Sequence, residues 1–475
     1  MIAELLLLLA QSPPPPADDT LITPERLRQH ILIIADDSML GRATPGPGLE
    51  RASAYVAGQF AALGLTPAGD ADGYEQRWGL SRWTPDTATS RIELAGTEGR
   101  LAPRLGVDVR YVAGAVTGRT VEGETVLLDG PDAAARASDR ELRGRVAVLP
   151  VDYGQPLAPT LPALVERLAA RARAVIILGN RDSITFAQRL AAAAEPRLTP
   201  DFRADDDGAP VLELHRRALG RGELRSGVRV SIHLQRRTLS RATAPNLVGV
   251  LEGSDPSLRR EYVAITAHVD GVGTRPGATD SINNGADDNA TGLAALLEIA
   301  RVFRQSGARP RRSILFLVPS GEERGLWGSG YFVRRPPVPL ARIVAELNMD
   351  LIGRNWSDSV IVVGPELSTL GETLRAAVAA HPELRMAPVT DRWPEERIFY
   401  RSDHYHFARA GVPVLFFTSG THPDYHQPTD SPDRVDPDKA SRVARLLYQV
   451  AARVADDPAR PQWRPGSLQR IAEEP

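Results

Sequence analysis

Four short apolar runs, each followed by a histidine or a carboxylate, constrain this chain more than any other feature. Val263-Ala264-Ile265-Thr266 leads to His268, and residues 314–318 lead to Glu322 and Glu323. Residues 343–349 end beside Asp350, and residues 412–418 precede the loop that carries His426. Runs this short and this rich in apolar β-formers, separated by helical spacing, read as strands of a largely parallel sheet. Ligands of such sheets bind outside the carboxyl ends of the strands. The histidines and carboxylates therefore collect on one rim, and that rim reads as a metal site.

The stretches around the first run are the densest. Ala267-His268-Val269-Asp270 and Asn283-Asn284-Gly285-Ala286-Asp287-Asp288-Asn289-Ala290-Thr291-Gly292 together hold one histidine and three carboxylates, interleaved with glycine. Imidazole and carboxylate suit a hard-to-borderline divalent ion such as zinc. The sequence has no cysteine, so disulfides and thiolate ligands are excluded and the site is built from N and O donors. Two zinc ions roughly 3.5–4 Å apart can lower the pKa of a shared water and polarise a scissile carbonyl. They need a bridging carboxylate, two further ligands each, and a free carboxylate to carry the water's proton to the leaving amine. The Glu322-Glu323 doublet supplies that division, since in a loop one side chain can face the metals and the other the substrate.

At 475 residues the chain exceeds one typical core, which predicts two domains. A formal charge of −2 gives no global attraction to nucleic acid or to a membrane. Lys439 is the only lysine among many arginines. The leucine run at residues 5–9 is too short to span a bilayer, which takes about 20 apolar residues. With Ala10 after it and Pro13 to Pro16 beyond, the run is expected to be an export signal with a flexible spacer. The protein is accordingly expected outside the cytoplasm, without stable membrane insertion.

Thr23-Pro24-Glu25 opens an amphipathic helix, and a second helical pattern over residues 50–63 stops at Gly64. From 104 to 235 the texture changes: short β-rich runs, among them Ala174-Val175-Ile176-Ile177-Leu178, alternate with alanine/arginine helices. No cluster of metal-type residues is visible there, and Asp205-Asp206-Asp207 reads as a solvated loop. The expected layout is a signal and spacer over 1–19, a first catalytic part over 20–103, an inserted module over 104–235, the main catalytic part over 236–458, and a tail over 459–475. The fold class is α/β: a mostly parallel central sheet flanked by helices, with a smaller β-rich α/β insert.

Five motifs in order carry a family resemblance. They are His268-Val269-Asp270, the Gly285 to Gly292 stretch, Gly321-Glu322-Glu323-Arg324-Gly325-Leu326, Asn348-Met349-Asp350 and Tyr425-His426-Gln427-Pro428-Thr429-Asp430. In order and spacing they resemble the M28 family of dizinc peptidases over about 241–455. The resemblance implies His268 and Asp350 on one zinc, Glu323 and His426 on the other, and Asp287 between them. It implies Glu322 as general base and acid to a metal-bridging hydroxide, Tyr425 as an oxyanion donor, and Asp270 as the residue orienting the His268 ring. Arg401-Ser402-Asp403-His404 resembles a motif that supports the pocket, and the inserted module resembles a protease-associated (PA) domain. One position departs from the pattern, for many members carry a second histidine where this chain has Gly271. His404 and His406 are expected to be structural histidines and His422 a loop residue.

The implied activity is that of a zinc exopeptidase acting on peptides, an aminopeptidase first of all. A glutamate-carboxypeptidase-like hydrolase would use cationic groups such as Arg354, Arg397 or Arg401 to grip a terminal carboxylate. A glutaminyl-cyclase-like transferase would hold one zinc, and a non-catalytic receptor would be expected to have lost ligands or base. The full ligand set and Glu322 favour the dizinc hydrolase. Oligomeric state is open.

Overall fold

The four apolar runs form the centre of the larger sheet. In the computed structural model, residues 18–96, 99–155, 159–203, 208–305 and 309–473 are described. The leucine run, the proline spacer and the acidic run 205–207 lie outside the described residues. The chain divides into two compact units, one holding residues up to Trp78 and from Thr243 onward, the other spanning Gly79–Ala242.

In the first unit, strand Tyr262–Thr266 pairs in parallel with Ser313–Val318 on one side and with Ile343–Met349 on the other. Ile343–Met349 pairs in parallel with Val414–Thr418. Their common direction brings His268, the Glu322-Glu323 loop, Asp350 and the His426 loop beyond the same edge. Antiparallel strands close the flanks, Ser359–Val363 beside Val414–Thr418 and Arg236–Leu251 beside Ser313–Val318. The strands Ser313–Val318, Ile343–Met349 and Val414–Thr418 are buried along their whole length, in keeping with their mainly apolar sequences.

Helices cover this sheet. Pro24–Ile34 starts where Thr23 Oγ1 accepts the Arg26 N–H at 3.4 Å, with proline in its first turn. Pro437–Asp456 starts where Asp436 accepts the Lys439 N–H at 3.0 Å, and buries Val443, Leu446, Leu447, Val450 and Val454. The segment expected to be a plain tail is more than that. Ser467–Glu473 is a short helix, and Ile471 joins the core formed by Leu315, Leu317, Phe332 and Phe407. No helix among the described residues is long and apolar enough to cross a membrane.

The second unit has a mixed sheet of its own. Thr120–Leu127, Val146–Val151, Ala174–Gly179 and Val211–His215 run parallel in that order. Val148 and Ile176 face one apolar core while Ala147, Val175 and Ile177 face another, so alternate residues of each strand are buried on opposite sides. The unit begins at Gly79 and ends at Ala242, wider than the expected 104–235. The reason is pairing: Arg91–Gly96 lies against Arg229–His233, and Trp83, Ile92 and Leu94 belong to the insert's core.

Candidate metal centre

Each strand of the parallel core delivers one part of the site. His268 follows Tyr262–Thr266 and is buried. Its Nδ1 lies 3.2 Å from the Asp270 carbonyl oxygen and 3.6 Å from the Asp270 carboxylate, which leaves Nε2 turned to the rim. Nε2 is 3.3 Å from Asp350 Oδ1 and 3.4 Å from Asp288 Oδ1. On the other side, His426 Nε2 is 2.9 Å from Glu323 Oε2 and 3.3 Å from Asp288 Oδ2. Two sets result, His268–Asp288–Asp350 and Asp288–Glu323–His426, each with donor atoms within 4.8 Å of one another.

The shared carboxylate is Asp288, not the Asp287 that the sequence motif suggested. Asp288 turns one oxygen to each histidine. Asp287 points away from both, into the protein. Its Oδ1 accepts from Gly353 N at 2.6 Å and from Thr291 Oγ1 at 3.1 Å, and its Oδ2 faces His422 Nε2 at 3.3 Å. The local backbone decides between the neighbours: Gly285 is left-handed, and both the Asp287 and Asp288 amides donate to the Asp430 carboxylate. His422, expected in a loop, therefore has a buried side chain against Asp287.

Glu322 belongs to neither set. Its side chain is only 10 % exposed, stands 3.9 Å from His268 Nε2 and lines the adjoining pocket. Asp270 accepts the Glu322 N–H at 3.1 Å and the Thr44 hydroxyl at 3.1 Å, so its closest hydrogen bonds fix the Glu322 loop as well as flank the His268 ring. Tyr425 lines the same pocket and stacks on His426 with centroids 3.8 Å apart. Ser402 donates to Asp350 Oδ2 at 3.0 Å. His404 stacks on Phe416, and burial pushes its pKa down to about 3, so it is a neutral packing residue. Gly271 packs beneath Gly41, whose carbonyl lies 2.8 Å from where a Cβ would stand; it is therefore a contact of the N-terminal segment and not part of the pocket lining.

The electrostatics are those of a crowded acidic site. Burial raises the Glu322 carboxyl well above the ordinary range; His268 opposes this, and Asp350 and Glu323 add to it. Burial and the Asp288 charge push Glu323 up to about 7. Burial works against a charged His268, yet Asp350 and Glu322 hold its pKa well above the usual value. The donor set fits divalent cations. Two imidazoles and three carboxylates converge without a thiolate, and the buried His426 Nε2 faces two carboxylates without an aligned hydrogen bond to either.

A small pocket adjoins this cluster, with Asp288, Glu322 and Asp350 in its lining. Leu351, Ile398, Phe416 and Thr418 form its apolar wall, and Glu396 and Arg401 pair across 2.9 Å at its lining.

Against known proteins, residues 246–451 match peptidase family M28, and every residue of both sets falls within them. That segment belongs to peptidase family M28. The chain is 25 % identical over 290 residues to aminopeptidase YwaD of Bacillus subtilis, covering 59 % of this chain and 56 % of that protein. It is 32 % identical over 189 residues to leupeptin-inactivating enzyme 1 of Streptomyces exfoliatus, covering 39 % of this chain and 38 % of that one. The chain thus spans 56 % or less of the length of these two relatives. Its fold is shared with the solved zinc aminopeptidase BSAP from Bacillus subtilis, with a TM-score of 0.50 at 18 % identity, over 92 % of this chain and 97 % of that one.

Proposed function

We propose that the chain is a dizinc exopeptidase that removes N-terminal residues from peptides. The observation that carries this reading is Asp288, whose two oxygens face two separate histidine–carboxylate sets while Glu322 stands free beside them. His268, Asp350 and Asp288 would hold one zinc, and His426, Glu323 and Asp288 the other. Zinc so bound supplies a Lewis acid for the scissile carbonyl and acidifies a water.

The chain's own groups do the rest. Burial raises the proton affinity of Glu322, which suits it to take a proton from water and return it to the leaving amine. Burial also keeps the Tyr425 hydroxyl protonated, with Arg401 hydrogen-bonded to it, so it can donate to the carbonyl oxygen as charge develops there. Glu322 and Asp350 line a recess acidic enough for a free α-ammonium, and the apolar wall suits the first side chain.

The arginines that a carboxypeptidase would need already have partners. Arg354 pairs with Asp424 at 2.8 Å, Arg397 lies over Tyr400, and Arg401 pairs with Glu396. Two donor sets likewise favour two zinc ions over the one of a cyclase-like transferase. The unit Gly79–Ala242, with its parallel strands between antiparallel edges, is read as a PA-type domain that shapes substrate access. The test is hydrolysis of an aminoacyl amide against its N-acetylated form. Rapid cleavage of the first alone is expected, and equal rates would overturn the aminopeptidase reading.

A further inference from the structure

Arg42 is an unusual buried cation. It is 1 % exposed, and its five hydrogen bonds all go to backbone carbonyls. Nε donates to Val269 O at 2.9 Å; Nη1 donates to Ile34 O at 2.9 Å and Asn284 O at 2.6 Å. Nη2 donates to Gly285 O at 2.9 Å and Asp288 O at 3.3 Å. One guanidinium thus joins the residue after His268 to three residues of the loop that ends in Asp288. The five N–H groups of a planar fork permit this, whereas an ammonium offers three donors at one point.

The surroundings are built to admit it. Gly41 has φ +63°, and a Cβ there would stand 2.5 Å from Gly273 O and 2.6 Å from Asn283 O. Gly285 has φ +59°, and a Cβ there would stand 2.7 Å from Arg42 Nη2. The backbone continues the contact, with Gly271 N donating to Arg42 O at 3.2 Å and Gly273 N to Gly41 O at 3.0 Å. Two residues on, Thr44 Oγ1 donates to Asp270 and accepts from Gly321 N at 3.2 Å, reaching the Glu322 loop too. One short N-terminal segment therefore touches the loops of His268, Asp288 and Glu322.

We propose that Arg42 is a positioning residue of the metal centre, fixing His268 and Asp288 in the arrangement the cations require before they bind. This rests on the dizinc reading above. The experiment is zinc affinity by chelator competition on the full chain, for the parent and for Arg42→Lys and Arg42→Met, with thermal midpoints measured metal-free and with excess zinc. Both variants are expected to bind zinc about 10–100-fold more weakly, as loss of a group supporting metal ligands does. The rise in midpoint on adding zinc should shrink accordingly. If Arg42→Met does not fold, Arg42→Lys decides, because it keeps the charge and loses the fork. Lower midpoints with unchanged zinc affinity in a folded variant would overturn the proposal and leave a purely structural arginine. A parent that binds no zinc would instead overturn the dizinc reading itself.

Discussion

Replacing Asp288 and Asp287 by asparagine, one at a time, separates the carboxylate shared by both clusters from its neighbour. In Asp288→Asn one oxygen becomes an NH2 that must face either His268 or His426, since the two oxygens lie 3.4 and 3.3 Å from those rings. At least one set then loses a ligand and the negative charge is lost to both. Zinc bound by four protein ligands is worth about 10–16 kcal/mol, or roughly 3–4 kcal/mol per ligand, so the affected site should weaken by roughly 10²–10³-fold. Asp287→Asn keeps an acceptor for Gly353 N and Thr291 and can donate to His422, so it acts only through the loop. A loss of about 10–100-fold at most is expected there. The assay is zinc per chain after equilibration against graded chelator, with circular dichroism to confirm folding. A folded Asp288→Asn protein with parental zinc affinity, or an Asp287→Asn protein losing more zinc than it, would refute the assignment.

Three further outcomes follow from the same geometry. Glu322→Gln should lower kcat by about 10²–10⁴-fold with zinc content unchanged, and a rate near the parent's would remove Glu322 from proton transfer. Tyr425→Phe should lower kcat by about 10²–10³-fold with little change in KM; a change confined to KM would make it a binding residue only. Lys439 is fully buried, donates to the Arg354 carbonyl and, at 2.7 Å, to Ser419 Oγ, and burial pushes its pKa down from 10.5 to about 8. Below about pH 8 both states carry the ammonium, whereas between about pH 8 and 10.5 only the unfolded chain holds that proton, so stability rises with pH. The fall in pKa corresponds to about 3 kcal/mol, and urea unfolding of metal-free protein should show that gain in the parent but not in Lys439→Met. Parallel curves for the two proteins would contradict it.

Much of this was legible because strand order and motif order agree. Residues 263–266, 314–318 and 343–349 are short, mainly apolar runs, so their strands, and hence the rim, could be read directly. His268, Glu323, Asp350 and His426 each come from a different strand end, which left little ambiguity about which residues would meet. Asp287 and Asp288 are adjacent and chemically identical, and only the backbone turn at Gly285 and the Asp430 acceptor separate them. Arg42 and Thr44 lie in the glycine- and proline-rich stretch 41–48, whose composition reads only as a loop. Apart from Ile34, their side-chain partners are more than 200 residues away in sequence, and no local pattern announces such contacts. The insert's early boundary was hidden for a similar reason. Strand Arg91–Gly96 is defined by its pairing with Arg229–His233, across the whole module.

The most direct test of the proposed dizinc peptidase is zinc content per chain on purified protein, with hydrolysis of an aminoacyl amide measured before and after chelation. Two zinc ions per chain are expected, with cleavage lost on chelation and restored when zinc is returned. A protein that holds one zinc, or cleaves unchanged after chelation, would contradict it.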